Sequence, residues 1–208
     1  MSVNIICEDA LRWLKTQKSL PNIVTGICDY DEMIDKNMDM TEYLNFYTSI
    51  LEEIFSKLED NCYAIFIQTD RKYQKSLIDK SYITTQIAQK HRLKVVWHKI
   101  ALHREVDRTD LHRPTYAHVL CYSRNGTTGA ATPDVMPVSK KNYKNGTPLL
   151  AAQRSVEFVA KYSENKMVID PFVGRGTIPY IAKNLGLDSI GIDIDPKQCQ
   201  EARQYVSQ

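Results

Sequence analysis

The stretch Met167-Val168-Ile169-Asp170-Pro171-Phe172-Val173-Gly174-Arg175-Gly176-Thr177 decides the fold class of this chain. It begins with an apolar run typical of a buried β-strand, and its two glycines predict a turn where the backbone closely approaches a ligand. The residues from Ile178 to Leu185 then have the apolar spacing of a helix. A strand, a glycine turn and a helix in this order form the ligand-binding element of doubly wound α/β proteins.

The composition is that of an ordinary globular protein. The chain has 208 residues, of which 43% are hydrophobic and 25% charged, and its formal net charge of +2 neither requires nor excludes a nucleic-acid partner. Five scattered cysteines without a CxxC pair predict reduced thiols in an intracellular protein, either cytoplasmic or nuclear. No apolar run approaches the length of a membrane span, so we expect no membrane partner.

Seven apolar runs predict strands, and helical patterns separate most of them. The runs are 3–7, 22–28, 62–69, 93–102, 115–123, 167–170 and 188–194. Alternation of apolar strands with helices predicts a mostly parallel sheet that is covered on both faces. The fourth and fifth runs have no clear helix between them, which predicts one antiparallel strand. The predicted fold class is therefore α/β, a seven-stranded doubly wound sheet.

Three local features can also be predicted. We expect Thr41 to cap a helix that runs to about Leu58, because the apolar residues that follow it have helical spacing. The segment from Ser76 to His91 is predicted to be helical, and residues 125–146, which are rich in Gly, Pro, Thr and Asn, are predicted to form a long loop.

Acidic side chains follow most of the predicted strands. They are Asp9, Asp29, Asp70, Asp170 and Asp193. Because the carboxyl ends of parallel strands meet at one edge of a sheet, we expect these carboxylates to form an acidic rim around the ligand. Such a rim favours a cationic or hydroxyl-rich ligand over a nucleoside triphosphate, and the Gly-Lys-Ser/Thr of a P-loop is absent from the sequence.

Each of these acids also has a purely structural interpretation. An Asp at a strand end often caps the next helix, as Asp9 would, and Asp70 precedes Arg71 and Lys72, which favours a local ion pair. Asp193 follows the glycine turn by about one β-α-β unit, where an acid can bind a ribose 2′-hydroxyl group. The joint pattern is a stronger indication of a ligand site than any single acid.

The segment Asp170–Thr177 resembles the DPFxGxGT cofactor motif of S-adenosylmethionine-dependent methyltransferases, in the form typical of DNA and RNA amino-methylases. The segment Gly191–Pro196 is similar to the second motif of that family, whose acid holds the ribose hydroxyl groups. Ile5–Leu11 resembles the motif whose Asp contacts the adenine, and Pro148 opens a helix like the one that packs on the methionine end. The resemblance therefore implies S-adenosylmethionine as the cofactor. The implied cofactor-binding residues are Asp170, Pro171, Phe172, Gly174, Gly176, Thr177, Asp193, Ile194, Asp9 and Pro148.

The order of the motifs resembles that of the circularly permuted amino-methylases, because the cofactor motif comes last and the catalytic strand first. The family's strand order accounts for all seven predicted strands, so the resemblance covers essentially the whole chain as one domain, 1–208. It implies an acceptor region over about 1–145 and cofactor motifs over about 146–208.

The catalytic motif departs from that of the family. Amino-methylases have Asp/Asn/Ser-Pro-Pro-Tyr here, in which the Asp or Asn oxygen and a proline carbonyl hold the target amine while an aromatic ring stacks on the base. The corresponding residues are Ile27-Cys28-Asp29-Tyr30, without prolines. The segment is more similar to a subgroup with Ser-Leu-Pro-Asp-x-Ser-Glu, whose Asp and Glu correspond to Asp29 and Glu32. We expect Asp29 to orient the acceptor or accept its proton, Tyr30 to stack on it, and Glu32 to assist.

Substrate contacts are predicted at two further places. Gln68 and Asp70 lie at the end of the neighbouring predicted strand, and a basic, histidine-rich stretch that includes His98 and Arg113 could bind a phosphate backbone. The same basic stretch has a second interpretation as a solvated loop. Its histidine spacing matches no compact ligand set, so no metal site is predicted.

The predicted function is methyl transfer from S-adenosylmethionine to a base of RNA or DNA, with an exocyclic amine as the acceptor by analogy with the family. Two alternatives remain open at this level. One is a methyltransferase for a protein or small molecule, and the other is a methyltransferase-fold binding subunit without turnover, for which the missing prolines are the motive. A protein partner could supply the target specificity.

Overall fold

The computed structural model describes residues 1–34, 38–111, 113–143 and 146–208. Its strands are β1 (Val3–Cys7), β2 (Asn22–Thr25), β3 (Ala64–Gln68), β4 (Arg71–Tyr73), β5 (Ser76–Ile78), β6 (Lys94–Leu102), β7 (Tyr116–Ser123), β8 (Val135–Met136), β9 (Met167–Asp170) and β10 (Asp188–Asp193). Eight of these strands form one sheet in the order β1-β10-β9-β2-β3-β7-β6-β8, and β4 and β5 form a separate hairpin.

The large sheet is mostly parallel. Strands β1, β10, β9, β2 and β3 are parallel neighbours, whereas β7 runs antiparallel to both β3 and β6. The predicted α/β sheet with one antiparallel strand is confirmed. The predicted strand number was too low by one for this sheet, because β8 lies within the segment that was predicted to be a loop and pairs with the edge strand β6.

Helices cover both faces of the sheet. They are α1 (Ala10–Thr16), α2 (Tyr30–Ile34), α3 (Met40–Lys57), α4 (Lys80–Lys90), α5 (Leu149–Tyr162), α6 (Thr177–Asn184) and α7 (Pro196–Val206). Helix α3 contacts α1 and α4, and α6 contacts α5 and α7. In β2, the neighbouring side chains of Ile23 and Val24 are both fully buried, and they belong to two different hydrophobic clusters. Burial on both faces explains why this strand has a continuous apolar sequence.

Two local predictions were wrong. Helix α4 begins only at Lys80, because Ser76–Ile78 pairs with Arg71–Tyr73 across a turn in which Gln74 and Lys75 have φ angles of 46° and 64°. Helix α3 is capped by Asp39 rather than Thr41: the Asp39 carboxylate accepts a hydrogen bond from the Glu42 amide, and the Glu42 carboxylate accepts one from the Asp39 amide. This reciprocal pair is a capping box.

The parallel strands deliver their carboxyl ends to one edge of the sheet, and a cleft lies there. Strand β9, which precedes the glycine turn, lies between β10 and β2. The glycine turn and the end of β2 are therefore side by side, although they are far apart in the sequence. Among the described helices, none is both long and apolar enough to cross a membrane.

Candidate active site

A cleft of about 1140 Å³ lies at the carboxyl ends of the parallel strands. Its lining includes Pro171, Phe172, Gly174 and Arg175 after β9, Asp193–Asp195 at the end of β10, Gly26–Asp29 after β2, and Gln68 and Thr69 at the end of β3. Two predicted regions, the glycine turn and the acidic segment after β2, therefore face the same space.

The glycine turn has a backbone conformation that side chains rarely adopt. Gly174 and Gly176 have φ angles of 51° and 87°, and a Cβ atom on Gly176 would lie 3.1 Å from the Cα atom of Ala202. Glycine at the second position thus lets helix α7 pack closely against the turn. The Gly174 amide donates a hydrogen bond of 3.0 Å to the Asp193 carboxylate, which joins the turn to the end of β10.

The Asp193 carboxylate lies at the cleft and links three parts of the chain. One oxygen accepts from Gly174, and the other accepts a 2.9 Å hydrogen bond from the Asp195 amide. Burial raises the pKa of this carboxyl group above its usual range. The neighbouring Ile194 side chain is 54% exposed and also lines the cleft. A carboxylate next to an exposed apolar side chain suits a ligand that has both hydroxyl groups and a flat ring.

Asp170 lies beneath the turn rather than in the cleft lining. Its Oδ1 atom accepts hydrogen bonds from the Thr25 hydroxyl (2.6 Å) and the Phe172 amide (3.1 Å), so it ties β9 to β2 and fixes the start of the turn. Burial raises its pKa to about 7. Thr177 is also buried, at the start of α6, where its hydroxyl accepts a hydrogen bond from the Asn142 side chain.

Two other predicted cofactor residues, Asp9 and Pro148, line the same cleft. Asp9 caps helix α1 by accepting a 2.8 Å hydrogen bond from the Arg12 amide, so the structural interpretation of this acid applies together with its place in the cleft. Pro148 immediately precedes helix α5. Phe172 is half-buried, lines the cleft, and packs edge-to-face against Phe46 with ring centroids 6.1 Å apart.

The loop after β2 is held by side chains from other elements. The Gln68 side-chain amide forms two hydrogen bonds with the backbone of Ile27, which together are called the Gln68 clamp. Its Oε1 accepts from the Ile27 N–H at 3.0 Å, and its Nε2 donates to the Ile27 carbonyl at 3.1 Å. The Tyr43 hydroxyl, on α3, donates to the Cys28 carbonyl at 3.1 Å. Gln68 lines the cleft and is 2% exposed, so its amide holds the loop.

Asp29 lies between two cations. Its Oδ1 atom is 2.6 Å from Nζ of Lys80, and its Oδ2 atom is 3.2 Å from Nη1 of Arg113. Arg113 also lines the cleft and forms a short ion pair with Asp31. The predicted placement of Asp29 and Arg113 at one site agrees with this geometry, and the Asp29 side chain keeps 24% of its surface exposed.

Glu32 and Tyr30 are placed differently from each other. Glu32 lines the cleft and accepts a 3.3 Å hydrogen bond from the Asp29 amide, and burial together with the Asp29 charge raises its pKa. The Tyr30 ring is 9% exposed, packs against Tyr43 and Tyr73, and is not part of the cleft lining. The prediction that Tyr30 stacks on the acceptor is inconsistent with this buried position.

The structure does not bring Asp70 and His98 to the cleft. Asp70 is buried, and its carboxylate accepts hydrogen bonds from the Lys80 amide and from Nε2 of His118, each 2.9 Å long. The second nitrogen of His118 is 2.8 Å from Nε2 of His98. Side-chain atoms of Asp70, Asp79 and His118 that could bind a metal lie within 4.8 Å of one another. These side chains already form hydrogen bonds within the protein, Asp70 with His118 and Asp79 with the Tyr82 amide. The absence of a metal remains a prediction.

Three features in the cleft or directly behind its lining were not found from the sequence. Lys80 is 1% exposed next to Asp29, although a lysine in a helical pattern is normally expected at the surface. His103 binds the Thr69 hydroxyl through Nε2, and its buried Nδ1 has no partner among the described residues. Burial and the nearby Lys141 lower the pKa of His103 to about 4, so the ring is neutral at pH 7. Tyr143 packs beside the glycine turn, with Arg175 above its ring.

Comparisons with known proteins agree with this geometry. Residues 129–204 match the model of a family described as DNA methylase. Across 241 aligned residues, the chain is 27% identical to the type II methyltransferase M.HpaI of Haemophilus parainfluenzae, with 99% of this chain and 74% of that protein covered.

Solved structures have the same fold at low sequence identity. TTHA0409 of Thermus thermophilus, described as a DNA modification methylase and crystallised with S-adenosyl-L-methionine, has a TM-score of 0.73 at 16% identity, covering 98% of this chain and 93% of that one. The cytosine-N4-specific PvuII DNA methyltransferase also has a TM-score of 0.73, at 12% identity, covering 99% and 86%. The chain is therefore similar over residues 129–204 to a family of DNA methylases, and it shares the fold of these solved structures.

Proposed function

We propose that this protein is an S-adenosylmethionine-dependent methyltransferase that methylates a base of DNA, with an exocyclic amine as the acceptor. The observation that carries the proposal is the single cleft in which the glycine turn and the Asp29–Arg113 pair meet. The family match over residues 129–204 supports the assignment independently of the geometry.

The cleft has the features that the cofactor needs. The positive φ angle at Gly174 allows a close backbone approach in the cleft, the Asp193 carboxylate can bind ribose hydroxyl groups, and Ile194 offers an exposed apolar surface to the adenine. Pro148 and Phe172 lie in the same lining. When bound, S-adenosylmethionine supplies an electrophilic methyl group on a positively charged sulfur, which the acidic rim favours.

The residues after β2 would receive the target base. In the resembling motif, a proline carbonyl holds the target amine, but the carbonyls of Ile27 and Cys28 already accept hydrogen bonds from Gln68 and Tyr43. The Asp29 carboxylate also has partners, but its side chain keeps 24% of its surface exposed and it lines the cleft, so it is the acceptor best placed to orient an amine there. Arg113 lies beside it and can contact a DNA phosphate or the base edge.

DNA is preferred over RNA because the matched family and the similar solved structures are described as DNA methylases or DNA methyltransferases. We further propose that the chain is one domain with the motif order of the circularly permuted amino-methylases. Strand β9, which precedes the glycine turn, is the seventh of the eight strands of the large sheet along the chain. In the sheet, however, it lies third from one edge, between β10 and β2. A partner that supplies sequence specificity remains part of the proposal.

Replacement of Asp29 tests this assignment. We expect Asp29→Ala to lower methyl transfer from labelled S-adenosylmethionine to DNA by at least roughly 100-fold, because the amine loses its orienting acceptor, while cofactor affinity measured by calorimetry stays unchanged. Asp134→Ala is the matched control, because that side chain is 86% exposed in an ion pair outside the cleft. Normal turnover of Asp29→Ala would exclude Asp29 from the reaction.

A second candidate function is a binding subunit without turnover. The specific observation that favours it is the double ion pair of Asp29 in a loop without the family's prolines. Calorimetry and a transfer assay separate the two functions. A binding subunit would bind S-adenosylmethionine and DNA but would transfer no label to any nucleic acid.

A further inference from the structure

Lys80 is a buried cation whose ammonium group points towards the end of β2. Its side chain is 1% exposed, and Nζ lies 2.6 Å from the Asp29 carboxylate and 3.2 Å from the Tyr43 hydroxyl. The rings of Tyr43 and Tyr47 lie 5.6 and 5.8 Å from the same nitrogen. Burial of a lysine is costly unless it is paired, so this position requires the Asp29 charge.

The backbone of Lys80 is also fixed. Its amide donates to the buried Asp70 carboxylate, and its carbonyl accepts a hydrogen bond from Thr84, whose hydroxyl lies 2.8 Å from that of Tyr47. The first turn of α4 is therefore held at both its backbone and its side chain. Because the backbone and side chain of Lys80 are both held in place, its ammonium group fixes the position of the Asp29 carboxylate that pairs with it.

Asp29 and Glu32, two of the three acids between positions 29 and 32, have different surroundings. Asp29 is paired with Lys80 on one oxygen and Arg113 on the other, so its charge is the counter-ion of a buried lysine. Glu32 lines the same cleft, and no cation of the described residues lies within ion-pair distance of it. Two neighbouring carboxylates with different surroundings are the usual arrangement for two different roles.

We propose, building on the proposed function, that Lys80 is a positioning residue that fixes Asp29 as the hydrogen-bond acceptor of the target amine, and that Glu32 receives the proton. The nitrogen–carbon bond forms as the carbon–sulfur bond breaks, and the electron pair of the broken bond stays on sulfur. The methylated nitrogen is then positively charged until one of its protons moves to the Glu32 carboxylate, which leaves the N–H electron pair on nitrogen. No other reactant is needed.

A double-mutant cycle tests the ion pair without any assay of activity. The variants are Lys80→Met, Asp29→Asn and the double variant, with urea midpoints as the readout. We expect Lys80→Met to lower the midpoint less when Asn is already at position 29, because the pair is then already lost. Equal shifts in both backgrounds would overturn the proposed pair, whether or not the protein is a methyltransferase.

The pH profile of methyl transfer tests the division of roles. Lys80→Met should lower kcat roughly 100-fold with little change in the KM for S-adenosylmethionine, because a loose Asp29 presents the amine poorly. Lys90→Met, at an exposed position of the same helix, is the matched control and should behave like the native protein.

Glu32→Gln should lower kcat by a similar factor and remove the rise of kcat with pH that ionisation of Glu32 produces in the native protein. Native kcat in Lys80→Met, or native kcat with an unchanged pH profile in Glu32→Gln, would overturn the proposal. If the native protein transfers no methyl group to DNA, the proposed function fails, and the double-mutant cycle still decides whether Lys80 fixes Asp29.

Discussion

At the scale of single residues, Asp170 has an unusual position for an acid in this motif. One oxygen accepts hydrogen bonds from Thr25 and Phe172, and the side chain is 4% exposed between two parallel strands. Burial raises its pKa to about 7, so near neutral pH a large fraction of the folded molecules have an uncharged Asp170. The residue holds the turn in either protonation state.

This position makes stability depend on pH in a defined direction. The folded carboxyl group keeps its proton up to about pH 7, whereas the unfolded chain releases it near pH 4, so the native protein loses stability as pH rises through that window. Asp170→Asn keeps an acceptor oxygen and removes the titration. Its unfolding free energy should therefore rise relative to native by up to on the order of 4 kcal/mol from about pH 4 to about pH 8.

Urea unfolding at several pH values measures this difference. Asp134→Asn, an exposed position, serves as the control and should leave the pH dependence unchanged. Parallel curves for the native protein and Asp170→Asn would mean that Asp170 ionises normally in the fold.

Residue type and position along the sequence predicted that all five acids would surround the ligand, but only Asp9, Asp29 and Asp193 line the cleft. Asp9 and Asp193 line the cleft, whereas Asp70 binds His118 and Asp170 joins two strands. The roles of Asp70 and Asp170 depend on distant partners, since His118 is 48 residues from Asp70 and Thr25 is 145 residues from Asp170 in the chain. Lys80 was missed for the same reason, because its partner Asp29 is brought to it only by the packing of the folded chain.

At the scale of elements, the loop after β2 lacks the prolines of the resembling motif and is held by hydrogen bonds instead. The Gln68 side chain, at the end of β3, bonds both the amide and the carbonyl of Ile27. Strands β2 and β3 are parallel neighbours, so these hydrogen bonds hold the loop after β2 in a fixed position relative to the sheet.

Removal of the clamp should affect stability and activity together. Gln68→Leu leaves the buried Ile27 peptide without its two partners, which should cost about 1–3 kcal/mol of stability and lower kcat more than cofactor affinity. Urea denaturation and methyl-transfer kinetics measure the two effects. Gln153→Leu, on an exposed position of α5, is the control. A Gln68→Leu protein with native stability would show that the clamp contributes nothing.

The hairpin of β4 and β5 is the element that sequence patterns misassigned. Its strands have three residues each, and its turn uses Gln74 and Lys75 at positive φ, which are not typical turn residues. Nothing in the local sequence distinguishes such a hairpin from the first turn of the helix that follows. The longer strands and helices were predicted because their apolar periodicity extends over whole elements.

At the scale of the whole molecule, the strand order explains why the cofactor motif and the acceptor segment meet. Strand β9 pairs with β2, so Asp170 and Thr25 are in contact across 145 positions of the chain, and the cleft forms at their common end. The sequence predicted that both segments lie at the carboxyl ends of strands and so at one edge of the sheet. The buried network of Lys80, Tyr43 and Gln68 could not be predicted, because it depends on side-chain packing between elements.

The most direct test of the central claim is to identify the product formed from the native protein, S-adenosylmethionine with a labelled methyl group, and DNA. After digestion of the DNA to nucleosides, mass spectrometry should find the label on a base that carries a methylated exocyclic amine. RNA and a protein extract of the same source are incubated in parallel. Label that appears only in RNA or protein, or in no fraction at all while the cofactor binds, would contradict the account.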